Sequence, residues 1–400
     1  MNMKIICNFR IPILGILSIF LSGGCCLIGN KSVVKRIEHQ LVKKDNIFIQ
    51  AGMYPEFTVD GKWTFSMDQR PNWFAGFTGG ELWLVYEMTG NDNLQRRAIA
   101  HADHLLEYSS LDNTHDMGFI FLPTCVKAYL KTGDIKYRQA GIEAAEMLAK
   151  RFNKNGKFIR AWGRLETSRR EGWMIIDTMM NLELLFWAAQ ETGVDSLYEI
   201  ANAHAQTAMR EIVRKNYSSY HVIEWDPQTG EIIEKRTHQG YAPESTWARG
   251  QAWGLYGFAN TFRRTGNKDF LKTSIGMADY FIDHLPSDLV PFWDLDLAGE
   301  DVLKDASAGA IAASGMFLLA EVVDDENLKN KYRSFAENIS QSLIENYLFT
   351  QSQREREEGI LLHTIYNFNK GNGVDESYPC GDYYFTEAVW KLWALKGNDL

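Results

Sequence analysis

The sequence predicts an all-α fold, a single-domain (α/α)6 barrel of six helical hairpins with a short β-hairpin insertion, and three observations carry the prediction. First, six apolar, helix-like stretches run into the same kind of short turn: Thr89-Gly90-Asn91, Thr132-Gly133-Asp134, Thr192-Gly193-Val194-Asp195, Thr265-Gly266-Asn267, the degenerate Asp324-Asp325-Glu326, and Lys396-Gly397-Asn398. Glycine after a helix supplies a left-handed C-cap, and the Asn or Asp that follows suits the next N-cap. Recurrence at such intervals marks a repeat architecture. Second, the last turn has no helix after it, and the helix-like stretch near residues 33–47 has none before it. Pairing those two ends closes the ring. Third, the stretches before the turns are apolar on nearly all sides, as an inner ring requires, whereas those after them are amphipathic, as an outer ring requires.

Taken in chain order, residues 1–25 read as an export signal. Lys4 and Arg10 are followed by the apolar run 11–21, which is too short to span a bilayer as a mature helix. Ser22-Gly23-Gly24-Cys25-Cys26 resembles a bacterial lipoprotein cleavage site, with Cys25 as the lipidated residue and plain secretion as the other reading. The expected location is therefore periplasmic or on the outer membrane, with membrane contact only through that anchor. The barrel domain is expected over 31–400. Residues 31–50 make the first amphipathic helix. Residues 51–72, with Pro55, Gly61 and Pro71, read as irregular. Inner helices are expected over 77–88, 119–130, 178–191, 252–264, 309–322 and 384–395. Outer ones include 94–108 and 137–151. Within 217–241, Asp226-Pro-Gln-Thr-Gly230 lies between β-branched runs and predicts an inserted hairpin.

Composition narrows the function. Hydrophobic residues make up 45% and aromatic residues 13% of the 400, enough for a large core, and no Pro/Ser-rich linker divides the chain. The twelve Trp suit either core packing or a sugar-binding cleft. Net charge is −9, falling to −11 once Lys4 and Arg10 leave with the signal, and there is no basic run, which argues against nucleic acid. Beyond the signal region, Cys125 and Cys380 remain, read as two buried free thiols or one disulfide. No metal or cofactor motif occurs: no HExxH, no phosphate loop, no CxxC pair.

Counting back 14–16 residues from five of the turns reaches Trp73, Asp116, Asp177, Arg249 and Asp382. A helix of about 15 residues is about 22 Å long, so each sits at the N-terminal mouth of an inner helix. If the inner helices run parallel, residues scattered along the chain converge on one pit. Asp177, in Gly172-Trp-Met-Ile-Ile-Asp-Thr-Met-Met-Asn181, reads as an N-cap, as a carboxyl whose pKa an apolar wall raises, or as both, although the helix dipole would oppose the rise. Asp116 carries the same two readings, as a cap or as a second acid suited to sugar chemistry. His115 beside it reads as a substrate hydrogen-bonder or a structural histidine. The cluster His238-Gln239-Gly240-Tyr241 and Ser245-Thr-Trp247-Ala-Arg249-Gly-Gln-Ala-Trp253 is dense in groups that bind sugars. Arg249 can fork onto a carboxylate and Trp faces can stack on rings; the alternative is a buried Arg paired with a structural acid. Trp162 and His221 are weaker candidates, each more readily core than site.

At these residues the chain resembles the unsaturated glucuronyl hydrolases of glycoside hydrolase family 88. The segments that carry the resemblance are Pro71-Asn-Trp-Phe-Ala-Gly-Phe77, Thr114-His-Asp-Met-Gly-Phe119, Ile176-Asp-Thr-Met-Met-Asn181, His238-Gln-Gly-Tyr241, Ser245-Thr-Trp-Ala-Arg-Gly-Gln-Ala-Trp-Gly254 and Gly381-Asp-Tyr-Tyr384. The resemblance implies an (α/α)6 barrel that needs no cofactor. It would remove a Δ4,5-unsaturated uronic acid from the non-reducing end of lyase-generated, glycosaminoglycan-type oligosaccharides by hydrating the C4=C5 enol ether. It implies Asp177 as the acid and base, and Asp116 as the residue that holds the sugar and helps orient the site. Trp73, His115, Trp162, His221, Gln239, Trp247, Arg249 and Trp253 would line the pocket. The nearest alternative is an unsaturated rhamnogalacturonyl hydrolase acting on pectin fragments. A sugar epimerase would need paired histidines, for which only His221 and His238 offer themselves. From another class comes a surface-anchored, non-catalytic carbohydrate-binding helical-repeat protein, which would need no convergent acids.

Overall fold

The computed structural model describes residues 23–168 and 170–396, with side chains from Val33 onward. Residues 1–22 of the export-signal segment, the side chain of Cys25 and the turn beyond Lys396 lie outside the described residues. In chain order the helices are α1 (Gly23–Ala51), α2 (Phe77–Thr89), α3 (Asp92–Leu105), α4 (Met117–Phe121), α5 (Lys127–Thr132), α6 (Ile135–Ala149), α7 (Thr178–Thr192), α8 (Asp195–Glu211), α9 (Ala248–Thr265), α10 (Lys268–Asp283), α11 (Ala306–Val322), α12 (Glu326–Asn346) and α13 (Pro379–Leu395). Helices α4 and α5 are one inner helix interrupted by a π-turn at Leu122–Val126. Pro123 there has no N–H to give to the regular ladder.

The helices form two rings. Helices α2, α4–α5, α7, α9, α11 and α13 pack side by side in that order, and α13 returns to α2, so the inner ring is closed. Its members are buried nearly all round; in α11 every residue from Ala306 to Ala320 is buried. Glycines let these helices approach closely. A Cβ added at Gly76, Gly118, Gly257 or Gly315 would come within 2.3–2.6 Å of atoms on the neighbouring inner helix. The outer ring is α1, α3, α6, α8, α10 and α12, each burying one face, as α3 does with Leu94, Ala98, Ala102 and Leu105.

The turns behave as their sequence requires. Gly90, Gly133, Gly193 and Gly266 cap α2, α5, α7 and α9 with φ of 69°, 72°, 70° and 68°. The degenerate turn differs: Val323 ends α11 in an extended conformation. Asn91, Asp134, Asn267 and Asp325 then cap the following outer helices through their side chains. Asp325 accepts from both Asn327 N (2.8 Å) and Leu328 N (2.9 Å). Asp325→Ala is expected to cost about 1 kcal/mol, read as a lower urea midpoint at unchanged slope.

Inner-to-outer connections are these short turns, at one end of the barrel. Outer-to-inner connections are long and gather at the other end, and they carry all the described strands. These are β1 (Pro55–Val59) and β2 (Lys62–Phe65); β3 (Phe152–Asn153) and β4 (Phe158–Ile159); β5 (Trp173–Ile175), β6 (Val222–Trp225) and β7 (Ile232–Arg236); and β8 (Thr364–Asn367) with β9 (Asn372–Glu376). All pairings are antiparallel, and β5-β6-β7 form one three-stranded sheet. The expected insertion is the β6–β7 hairpin. Residues 51–72, expected to be irregular, instead contain the β1–β2 hairpin. It turns at Asp60-Gly61, both at positive φ (51° and 75°), the geometry that suits paired twisted strands. Cys125 and Cys380 are both buried free thiols.

Candidate active site

Asp116 and Asp177 sit at the residue immediately before α4 and α7, yet neither side chain caps its helix. The capping alternative, valid for the outer helices, does not describe them. Asp116 is held otherwise. Thr114 Oγ1 donates to its Oδ2 (2.7 Å), and His115 Nε2 lies 3.3 Å from its Oδ1. The Asp177 side chain is 14% exposed, and its Oδ2 has no hydrogen-bond partner. Ile175, Ile176 and Met179 around it are all buried. Burial raises the Asp177 pKa to about 7, with Asp116 adding to the rise and Arg249 opposing it. The N-terminal end of α7 also favours the ionised form, so desolvation outweighs it.

His221, in the loop before β6, faces this carboxyl, its Nε2 being 3.5 Å from Asp177 Oδ2. The backbone N–H of Gln239 donates to His221 Nδ1 (3.2 Å), which places the ring proton of the neutral form on Nε2, toward Asp177. Burial lowers the His221 pKa well below its ordinary value, helped by His238 and Arg249. The ring is clamped by stacking on Trp247, 4.4 Å between centroids. A neutral imidazole adds no positive charge that would pull the Asp177 proton off.

Three expected pocket residues have another position. Arg249 is 1% exposed. Its Nη1 meets Asp305 Oδ2 (3.2 Å) and the Ile365 carbonyl; its Nη2 meets Gln239 Oε1 (3.0 Å) and Tyr366 O (2.6 Å). All four terminal N–H groups are therefore committed inside the protein. This is the buried-pair alternative, and a fork onto a substrate carboxylate would have to break it. Trp253 is fully buried between Phe119 and Tyr384, at ring separations of 5.2 and 5.1 Å. It lies a full turn inside α9 and so is core beneath the pit, not wall. His115 is 1% exposed, with Nδ1 on Thr178 Oγ1 (2.9 Å) and Nε2 on Asp116. Its Nδ1 is thus taken by the protein, while its Nε2 lies against the Asp116 carboxylate.

The remaining candidates do gather at the mouth. Trp73 is half-buried among Phe74, Phe77, Phe119 and Tyr366. Trp162 is bridged through its backbone to Thr114 and packs edge-on to Trp173 and beside His238. Gln239 is half-buried between His221 and Arg249. Asp382 does not join them. It is fully buried, its Oδ2 on Lys44 Nζ (2.8 Å) and its Oδ1 accepting from Ile360 N (3.0 Å) and Leu361 N (2.8 Å).

Sequence reasoning missed Asp305, the acid that anchors Arg249 at the mouth of α11, and Tyr366, whose carbonyl and ring both reach the site. Asp305 caps α11 through Ser307 N (3.1 Å), so an Asp-x-Ser pattern before an apolar run was its available signal. Tyr366 lies in β8 and had none. Among the described residues no group of three or more His, Cys, Asp or Glu could hold a metal ion.

A family model described as Glycosyl Hydrolase Family 88 matches residues 50–392. An unsaturated chondroitin disaccharide hydrolase of Streptococcus pneumoniae is 37% identical over 333 residues, 81% of this chain and 83% of that protein. An unsaturated glucuronyl hydrolase of Bacillus sp. strain GL1 is 34% identical over 339 residues, 83% of this chain and 89% of that protein. The crystal structure of an unsaturated glucuronyl hydrolase specific for heparin superposes with a TM-score of 0.84 at 34% identity, covering 92% of this chain and 98% of that one.

Proposed function

The chain belongs to glycoside hydrolase family 88, and from that premise and the site geometry we propose how it acts as an unsaturated glucuronyl hydrolase. It removes the Δ4,5-unsaturated uronic acid from the non-reducing end of lyase-generated, glycosaminoglycan-type oligosaccharides. Relatives named for chondroitin disaccharides and for glucuronyl substrates support that substrate class.

The observation that carries the mechanism is a buried carboxyl, Asp177, whose pKa desolvation raises to about 7 and whose Oδ2 has no partner. Protonation of carbon needs such an acid. Asp177 gives its proton to C4, and positive charge develops at C5 beside the ring oxygen. Water adds at C5 and returns a proton to Asp177. The hemiketal so formed opens and releases the rest of the oligosaccharide. The Nε2–H of His221 faces the carboxylate left after proton donation, and Asp116 holds the sugar's hydroxyls in this scheme. Trp73 and Trp162 offer ring faces at the entrance. Arg249, with its Nη1 and Nη2 groups committed, fixes Gln239 and β8. No glycosyl-enzyme forms in this scheme, so the carboxylate-spacing rule for retaining and inverting enzymes has no bearing on it.

The test is direct. Unsaturated disaccharides lose the ultraviolet absorbance of their conjugated double bond only if it is hydrated. A panel of chondroitin-, heparin-, hyaluronan- and pectin-type disaccharides should show that loss for the glucuronyl substrates. Exclusive turnover of the pectin fragments would favour the rhamnogalacturonyl reading, and no turnover would favour a binding protein. The pH dependence has a definite sign. The protonated form of Asp177 is the active one, so kcat/KM should fall as pH rises through about 7, approaching tenfold per pH unit beyond it. A profile that stays level well above that pH would remove Asp177 as the proton donor.

A further inference from the structure

The two acid-bearing helix ends are fastened to each other by a residue that touches no reacting atom. Asn181 lies one turn into α7 and is fully buried. Its Oδ1 accepts from the backbone N–H of Phe119 in the first turn of α4 (2.9 Å). Its Nδ2 donates to the backbone carbonyl of Asp177 (3.3 Å). One amide thus joins the start of the helix behind Asp116 to the residue that carries the other carboxyl. The opposing position is Gly118, where an added Cβ would lie 2.6 Å from Asn181 Cα and 2.8 Å from its Oδ1. A second rung, Thr178 Oγ1 to His115 Nδ1 (2.9 Å), runs parallel to the first and ends on Asp116.

We propose that Asn181, seated against Gly118, is a positioning residue that sets the separation and aim of Asp116 relative to Asp177. An apolar residue would fill the same space but would leave Phe119 N and the Asp177 carbonyl without this tie. The tie matters because reacting groups tolerate little displacement; about 1 Å of misplacement can cost about 10²-fold in rate. It also bears on proton affinity, since the nearness of Asp116 is one of the effects that hold the Asp177 proton. The groups that act on Asp177 are Asp116 ahead of α4, His221 before β6, Arg249 in α9 and the Cys380 thiol in α13. Only Asp116 is carried by the end of α4 that Asn181 holds.

The inference rests on the hydration reading above, and the experiment separates the two. Asn181→Ala removes both bonds, whereas Gly118→Ala keeps the amide and forces the helix ends apart. Each is compared with wild type for kcat, KM, pH profile and thermal melt on an unsaturated disaccharide. The expected result is a loss of kcat of about 10–100-fold with KM changed by less than about threefold. The basic limb of the pH profile should move toward acid, because a displaced Asp116 repels the Asp177 carboxylate less. If one variant melts below the assay temperature, the other decides. Wild-type kcat with an unmoved limb in a folded variant overturns the proposal. So does a rate loss that merely tracks the unfolded fraction. If Asp177→Asn itself retains full turnover, the hydration reading fails first; if it is inactive while Asn181→Ala is normal, only the present inference fails.

Discussion

Asp177→Asn should bind the unsaturated disaccharide and fail to turn it over, with kcat reduced by about 10³–10⁴-fold, near the upper range for removing a general acid. An amide has nearly the carboxyl's size and no proton acidic enough to give to carbon. The pocket shape should therefore persist, and binding measured by calorimetry should stay within a few-fold of wild type. Stability offers an independent readout. The folded Asp177 keeps its proton to about 7, whereas in an unfolded chain it ionises near 3.8. Between those values the unfolded chain binds fewer protons, so folding stability declines as pH rises through that window. Asparagine removes this decline. The variant should gain relative stability toward neutral pH as it loses activity, the pattern of a group kept for chemistry at the expense of folding. Near-normal turnover, or a pH–stability slope unaltered by the substitution, would sink the assignment.

The second large effect concerns the ring's closure. Lys44 of α1 is fully buried, 2.6 Å from Glu81 of α2 and 2.8 Å from Asp382 of α13. It thus joins the first outer helix to the first and last inner helices. Burial raises the Glu81 pKa, with Lys44 opposing the rise and Asp382 adding to it. Lys44→Met is expected to cost about 3–5 kcal/mol, because it leaves a buried carboxylate without its counter-charge. Urea denaturation reads the loss. Adding Glu81→Gln and Asp382→Asn to Lys44→Met should recover part of it, since the deficit comes from an uncompensated charge rather than missing volume. A single variant within about 0.5 kcal/mol of wild type, inside the range of ordinary surface changes, would refute the clasp.

Legibility in the sequence followed locality. The Gly-Asn and Gly-Asp turns could be read because both partners of a C-cap and an N-cap lie within a few residues. So could the β6–β7 hairpin, whose turn residues sit between two β-branched runs. The π-turn at Leu122–Val126 was not legible, although Pro123 marked its place. The β1–β2 hairpin was hidden because Pro55, Gly61 and Pro71 read as breakers. Asp177 stood out because its apolar flanks adjoin it in the chain. Arg249 stood out as a residue type, but its partners Asp305, Ile365 and Tyr366 lie 56, 116 and 117 positions away, and they decided its role.

Asp177 and Asp382 show where the boundary falls. In sequence they are alike: an acid among apolar residues, near the start of an inner helix, one helix length before a turn. The chain alone determined the ring of hairpins and the height of both acids on it, because helix pitch and turn chemistry are local. Tertiary structure alone decided that Asp382 meets an ammonium from 338 positions away, while Asp177 faces a neutral imidazole. The proton affinity of a buried carboxyl depends on which charges surround it in space, and spacing along a helix does not encode that.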